Sequence, residues 1–228
     1  MTILPASTAS NERSISSARD KKTSRSVETS ISGQVRAYAY SQPAGCLLQP
    51  NRFLNLGRQS AVYVTFLRME HAGELRRIGR GLYMLDDGSG AIDALDMQQI
   101  AEAFRTHFNC TVTPSRQDAA RAMGLTNETE PGVHFLTNEK SCVLHINGQD
   151  IHFHKGRPWE IRHGNTMAGQ ALRAISWAGY SSVRQALEQM KPRLTPEDVR
   201  LMQSAMQGMP VWLARALRDA SYPDGHWR

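Results

Sequence analysis

Cysteine is scarce in this chain: three in 228 residues, Cys46, Cys110 and Cys142. The number is odd and no two are neighbours, so neither a disulfide framework nor a zinc ribbon is supported. A reducing cytoplasm is the simple expectation. Long apolar runs are missing as well. None approaches the roughly 18–20 residues a membrane span needs, and the N-terminus lacks the apolar core of a secretory signal. No membrane partner is expected. Signatures of catalysis are absent too: no G-x-S-x-G, no phosphate loop and no H-E-x-x-H. Gly88-Ser89-Gly90 reads as linker, not as a phosphate cradle. The chain is therefore not expected to be an enzyme, no cofactor is implied, and no internal repeat stands out.

What is present is an uneven charge. The formal net charge is +6 and the pI about 9.5, a balance that suits an anionic partner. Residues 33–85 carry seven basic and two acidic groups, whereas residues 86–228 carry fifteen and sixteen. The positive excess thus sits near the N-terminus, and the larger part of the chain is nearly neutral. Residues 1–28 are rich in Ser, Thr, Arg and Lys with few large apolar groups. Such a segment buries too little to offset its ordering entropy, so a disordered basic tail is expected.

The fold expected from the pattern is α+β: a winged helix-turn-helix over residues 29–86, then a mixed domain over 92–228. A first helix runs from about Thr29 to Ser41 on the spacing of Ile31, Val35 and Tyr38. Gln42–Gly45 ends it. Pro50 opens a second, with Phe53, Leu54 and Leu56 as its apolar face and Gly57 as its close. The third runs from about Arg58 to His71, with Val62, Phe66 and Met69 as a core stripe and Gly73 as a left-handed stop. Strands Glu74–Ile78 and Leu82–Leu85 follow around Gly79-Arg80-Gly81, whose glycines permit positive φ. A recognition helix meets base edges with its first turns. Gln59, Ser60 and Tyr63 are accordingly candidates for reading double-stranded operator DNA, since Gln pairs bidentately with adenine and Ser donates or accepts. Arg58 and Arg68 are candidates for phosphate, and Arg76, Arg77 and Arg80 for the backbone or minor groove from the wing. The alternative is a winged helix used for protein docking, with solvated arginines.

Beyond the linker Asp86–Gly90, helices are expected at about Asp96–Phe108 and from Ser115 to Gly124, with strands at Cys110–Thr113 and Val133–Thr137. Residues 141–154 form a hairpin around Asn147-Gly148, the strongest short-range hairpin signal. Its alternation sets Ser141, His145, Asp150, His152 and His154 on one face, against Cys142, Leu144, Ile146, Ile151 and Phe153. Three histidines and an aspartate could bind a divalent metal, but a flat sheet face converges its ligands poorly. A polar outer face is the expectation, with no metal site. From about Thr166 the chain turns helical. There Trp177, Met190, Leu201, Met202, Met206, Met209, Trp212 and Leu213 make either the core of a helical bundle, the favoured reading, or an adaptable partner surface.

The run FLNLGRQSAVYVTFLRMEHAGELRRIGRGLYML resembles the N-terminal domain of AbiEi-like antitoxins of type IV toxin–antitoxin systems. The residues carrying the likeness are Phe53, Leu56, Gly57, Ala61, Val62, Arg68, Met69, Gly73, Leu75, Arg76, Arg77, Arg80, Gly81 and Tyr83. TVTPSRQDAARAMGL, PGVHFLTN and the Asn147-Gly148 hairpin extend it, so that it covers about residues 46–157. The resemblance implies a transcriptional autorepressor that binds its operator and counteracts a nucleotidyltransferase-like toxin, directly or indirectly. Phe66 and Met69 stand where the family has leucines, and the helical region from Thr166 onward has no counterpart in the likeness. A stand-alone transcription regulator without a toxin, and a protein-interaction adaptor, are the alternatives. A symmetric operator would favour a dimer on DNA, although no heptad points to an interface.

Overall fold

The computed structural model describes residues 30–43 and 45–227. The tail expected over residues 1–28 lies outside the described residues. The chain is mixed α+β and divides into two compact units, the boundary falling between Ile92 and Asp93. Among the described residues no helix is long and apolar enough to cross a membrane.

In the first unit, helix α1 (Ile31–Tyr40) starts where Ser30 Oγ accepts from the Gly33 amide at 3.0 Å. Strand β1 (Leu47–Leu48) leads into a 3-10 turn over Pro50–Leu56, then helix α2 (Gln59–His71) and the hairpin β2 (Leu75–Gly79) and β3 (Leu82–Leu85). The strands form one antiparallel sheet in the order β1-β3-β2. Val62, Phe66, Met69 and Leu75 are buried, as their spacing predicted. Phe66 bridges Phe53 and Tyr83 at ring-centroid distances of 5.6 and 5.2 Å. Leu54 differs from expectation: it is exposed, while Phe53 is buried and Leu56 packs against the core. A 3-10 segment has about three residues per turn, so positions 53 and 56 align and 54 faces out.

Helix α2 ends as expected. Gly73 takes a φ of 73°, and the Glu74 amide reaches back to the Met69 carbonyl at 2.9 Å, which satisfies an orphan carbonyl of the last turn. In the hairpin only Gly81 has positive φ; Gly79 belongs to β2 instead. The register shifts between Arg77 and Gly79. This bulge breaks the alternation of β2, so Leu75 and Ile78 both turn inward and Arg76 and Arg77 stand side by side between them.

The second unit has a four-stranded sheet, β4 (Val112–Pro114), β5 (Val133–Thr137), β6 (Cys142–Ile146) and β7 (Gln149–Lys155), in the order β4-β5-β7-β6. β5 and β7 are parallel; the other pairs are antiparallel. Asn147 and Gly148, with φ of 55° and 71°, close the β6–β7 hairpin in the expected register, Ile146 opposite Gln149. Helix α3 (Met97–Phe108), opened by a capping box of Asp96 and Gln99, lays Phe104 on Phe153 at 3.9 Å between centroids. The strand expected at Cys110–Thr113 occupies Val112–Pro114, and Ser115 caps helix α4 (Arg116–Ala122).

The remaining helices are α5 (Pro158–Ile161), α6 (Met167–Met190), α7 (Pro196–Ser204) and α8 (Val211–Ala220). α6 is broken at Gly179, whose φ of 70° and ψ of −177° leave the helical region. Met190, Met202, Met209 and Leu213 are buried in one apolar cluster with Leu172, Ile175 and Leu187, and Leu201, Met206 and Trp212 pack on its rim. These methionines are bundle core. Trp177 stays 37% exposed.

Candidate nucleic-acid interface

The buried stripe of α2 dictates its outward face. With Val62, Phe66 and Met69 turned in, Gln59, Ser60, Tyr63, Val64, Leu67 and Arg68 are exposed. Arg58, at the helix N-cap, has extended backbone and makes no side-chain cap, and the first turn carries no acid. Its amide groups and the helix dipole therefore meet no protein carboxylate from within that turn, an arrangement that suits an anion. The Tyr63 hydroxyl donates to Asn51 Oδ1 at 2.7 Å, joining α2 to the turn before it. Asn51 is part of this surface and was not anticipated; its position in a 3-10 turn hides it from a helical-period search.

Six of the seven arginines in residues 33–85 split into two kinds. Arg36 pairs with Glu74, Nη2 to Oε1 at 2.7 Å, and Arg76 pairs with Asp86 at 2.8 Å. These neutralise each other locally. Arg76, expected on phosphate, is thus held by the protein's own carboxylate. Arg58, Arg68 and Arg80 have no ion pair among the described residues, and Arg77 makes only a long contact from Nε to the Gly79 carbonyl, 3.4 Å. All four are exposed. Among the described residues of this unit, then, both ends of α2 and the β2–β3 hairpin hold arginines open to a partner.

The second unit brings together groups that lie far apart in sequence. Glu160 is fully buried, and Arg116 grips it with both arms, Nε to Oε1 at 2.7 Å and Nη2 to Oε2 at 2.8 Å. Burial alone would push this carboxyl up. The Arg116 fork, the Ser176 hydroxyl at 2.6 Å and the Arg157 amide at 2.8 Å outweigh it and hold the carboxyl below its ordinary 4.5. Arg173 is fully buried beside it and donates from Nη1 to the carbonyls of Gly164, 2.8 Å, and Glu160, 3.3 Å. Burial pulls its guanidinium down to about 10, still charged at neutral pH. This group joins α4, α5 and α6 and has the character of a structural keystone. The three thiols are unpaired, and burial raises each of them, which disfavours the reactive thiolate.

The histidine face gains a member that the sequence did not place on it. His145, Asp150, His152 and His154 share it as expected, with His145 near the turn, where it pairs with Asp150 at 2.5 Å. The added member is His134, brought from β5 by the parallel register His134 opposite His152. No periodicity within one strand could have found it, because parallel pairing is set by the crossover through β6.

The family described as "Family of unknown function (DUF6088)" matches residues 34–198. The chain belongs to the DUF6088 family. The match runs from α1 into α7, so both units of the chain are part of what defines DUF6088. No curated protein and no solved structure matches the chain.

Proposed function

We propose that residues 30–86 are a winged helix-turn-helix that binds double-stranded DNA, and that this DUF6088 chain is a transcription regulator of the AbiEi-like antitoxin kind. The observation that carries the reading is the division of the basic residues. Two arginines are neutralised internally, while Arg58, Arg68, Arg77 and Arg80 are exposed without acidic partners. In this reading α2 enters the major groove, Gln59, Ser60 and Tyr63 read base edges, and Arg77 and Arg80 hold the backbone or minor groove from the hairpin. Arg58 and Arg68 hold phosphates beside the helix. The antitoxin part rests on the resemblance alone: autorepression of the operon and antagonism, direct or indirect, of a nucleotidyltransferase-like toxin.

The test is binding of the full chain to a randomised duplex library, followed by anisotropy at several salt concentrations. Enrichment of one sequence family, with a steep salt dependence, is expected. No enrichment and no salt-dependent binding would overturn the DNA reading. Co-expression with a nucleotidyltransferase-like toxin encoded beside it tests the antitoxin part separately, with restored growth expected.

A second reading has one specific support. Leu54, Val64 and Leu67 are 40%, 42% and 44% exposed, which gives this unit more outward apolar surface than phosphate contact requires. A protein-docking adaptor would use that surface. It predicts loss of a partner, not of DNA, when Leu67 is changed to Lys.

A further inference from the structure

The outer face of the β5–β7 pair carries a second constellation, in the unit remote in sequence from the basic hairpin. His152 and His154 are two apart on β7, so their side chains emerge on the same face, and His134 stands beside them on β5. The three rings lie nearly parallel, with interplanar angles of 14°, 11° and 6° and centroids 4.8 to 5.9 Å apart. One ring nitrogen from each lies within 4.8 Å of the other two. We propose that His134, His152 and His154 form a binding site for a divalent transition metal of the zinc class, with a fourth position open to solvent.

Geometry favours this over three independent surface histidines. Zinc–nitrogen bonds of about 2.0–2.1 Å in a tetrahedron hold the nitrogens roughly 3.4 Å apart. Here the tightest contact, His134 Nδ1 to His154 Nε2, is 3.0 Å, and the loosest is within 4.8 Å, so the requirement falls inside the observed span. His134 and His152 are half-buried and His154 is exposed, which leaves the rings room to turn toward an ion.

The environment of His134 points the same way. Its Nε2 donates to the Pro131 carbonyl at 2.8 Å. That bond fixes the proton on Nε2 and leaves the Nδ1 lone pair directed at His154, the orienting arrangement that metal-bound histidines commonly have. Gly132 keeps the approach close: a Cβ there would lie 3.3 Å from the same Nε2. The Glu130 carboxylate, 3.9 Å from Nε2, adds negative charge just outside the ligands. Arg116 is the opposing charge nearby, and the Glu160 carboxylate occupies its fork.

Neutral imidazoles suit zinc, copper and nickel over calcium or magnesium. Before it ligates, neutral His154 moves its one proton from Nε2 to Nδ1 by exchange with solvent, which frees the Nε2 lone pair for the ion with no net proton released.

The experiment uses the full untagged chain, so that no added histidines bind metal. Zinc is titrated in competition with a chromophoric chelator at pH 7.5, and cobalt(II) is added as a spectroscopic probe. One equivalent of zinc and the intense visible bands of tetrahedral cobalt are expected. Loss of an outer-shell partner costs about 10–100-fold in metal affinity, so His134→Ala, His152→Ala and His154→Ala should each lose more than about tenfold. His145→Ala, on the same face outside the trio, should keep wild-type affinity. Should an alanine variant misfold by circular dichroism, His134→Gln and the ring-nitrogen chemical shifts of the wild type with and without zinc decide in its place. Less than one equivalent bound at micromolar zinc, equal binding by the trio variants, or ring shifts unmoved by zinc would overturn the proposal.

Discussion

Arg76 is joined to Asp86 by an ion pair of 2.8 Å that ties the middle of β2 to the residue following β3. Its neighbour Arg77 has no such partner. Two adjacent arginines in one hairpin therefore have different work, one closing the hairpin and one facing outward. This separates what a uniform arginine cluster in sequence would lump together.

It follows that Arg77→Ala combined with Arg80→Ala should weaken DNA binding on all sequences and reduce the salt slope by about 2. Arg76→Ala should leave the slope nearly unchanged and cost less than about 1 kcal/mol of stability, as expected for a half-exposed pair. Anisotropy titrations across a salt series give both slopes. An equal change of slope in the two variants would remove the distinction drawn between Arg76 and Arg77.

Gln59→Ala should act differently. Removing a side chain that reads a base edge costs about 1–3 kcal/mol on the preferred site and little on random DNA. Sequence selection with this variant should return a relaxed site. A uniform loss on every duplex would mean that Gln59 touches only the backbone.

Phe66 sits between Phe53 and Tyr83 and is fully buried. Phe66→Ala leaves a cavity in a small unit, at a cost of about 3–5 kcal/mol. Leu54→Ala, two-fifths exposed in the same unit, should cost well under 1 kcal/mol, within the roughly ±0.5 kcal/mol usual for surface changes. Urea denaturation of each variant measures the contrast. A large loss from Leu54→Ala would contradict the 3-10 geometry.

Glu160 predicts a pH dependence. Its carboxyl is held below the ordinary 4.5 in the folded state. The unfolded chain then takes up a proton first as pH falls, so this stabilisation is present above about 4.5 and is lost as pH drops through the folded value. Glu160→Gln removes the charge from a buried pair. The cost should be about 3–5 kcal/mol: Arg116 is 37% exposed and stays partly solvated, but the fully buried Arg173 also loses its neighbouring negative charge. The variant's acid limb should be flatter than that of the wild type in thermal melts between pH 7 and 3. Parallel acid limbs would show that Glu160 does not titrate with folding.

Much of this was readable because it is local. The Val62–Phe66–Met69 spacing, the Gly73 stop, the Asp96 and Ser115 caps and the Asn147-Gly148 turn each depend on residues within a few positions of one another. Local rules failed where the backbone departed from the assumed period. Leu54 was turned out by a 3-10 segment, and Arg76 and Arg77 were set by a bulge.

The amino-acid sequence alone determined where the helices and hairpins lie and how unevenly charge is spread, since periodicity, caps, turn chemistry and formal charge are properties of neighbouring residues. Tertiary structure alone decided which arginines are spent on Glu74 and Asp86, which carboxylate is buried under Arg116, and that His134 joins His152 and His154. Those are contacts between distant segments. Strand order and parallel register decide them, and a pattern within one segment does not encode the distance to another.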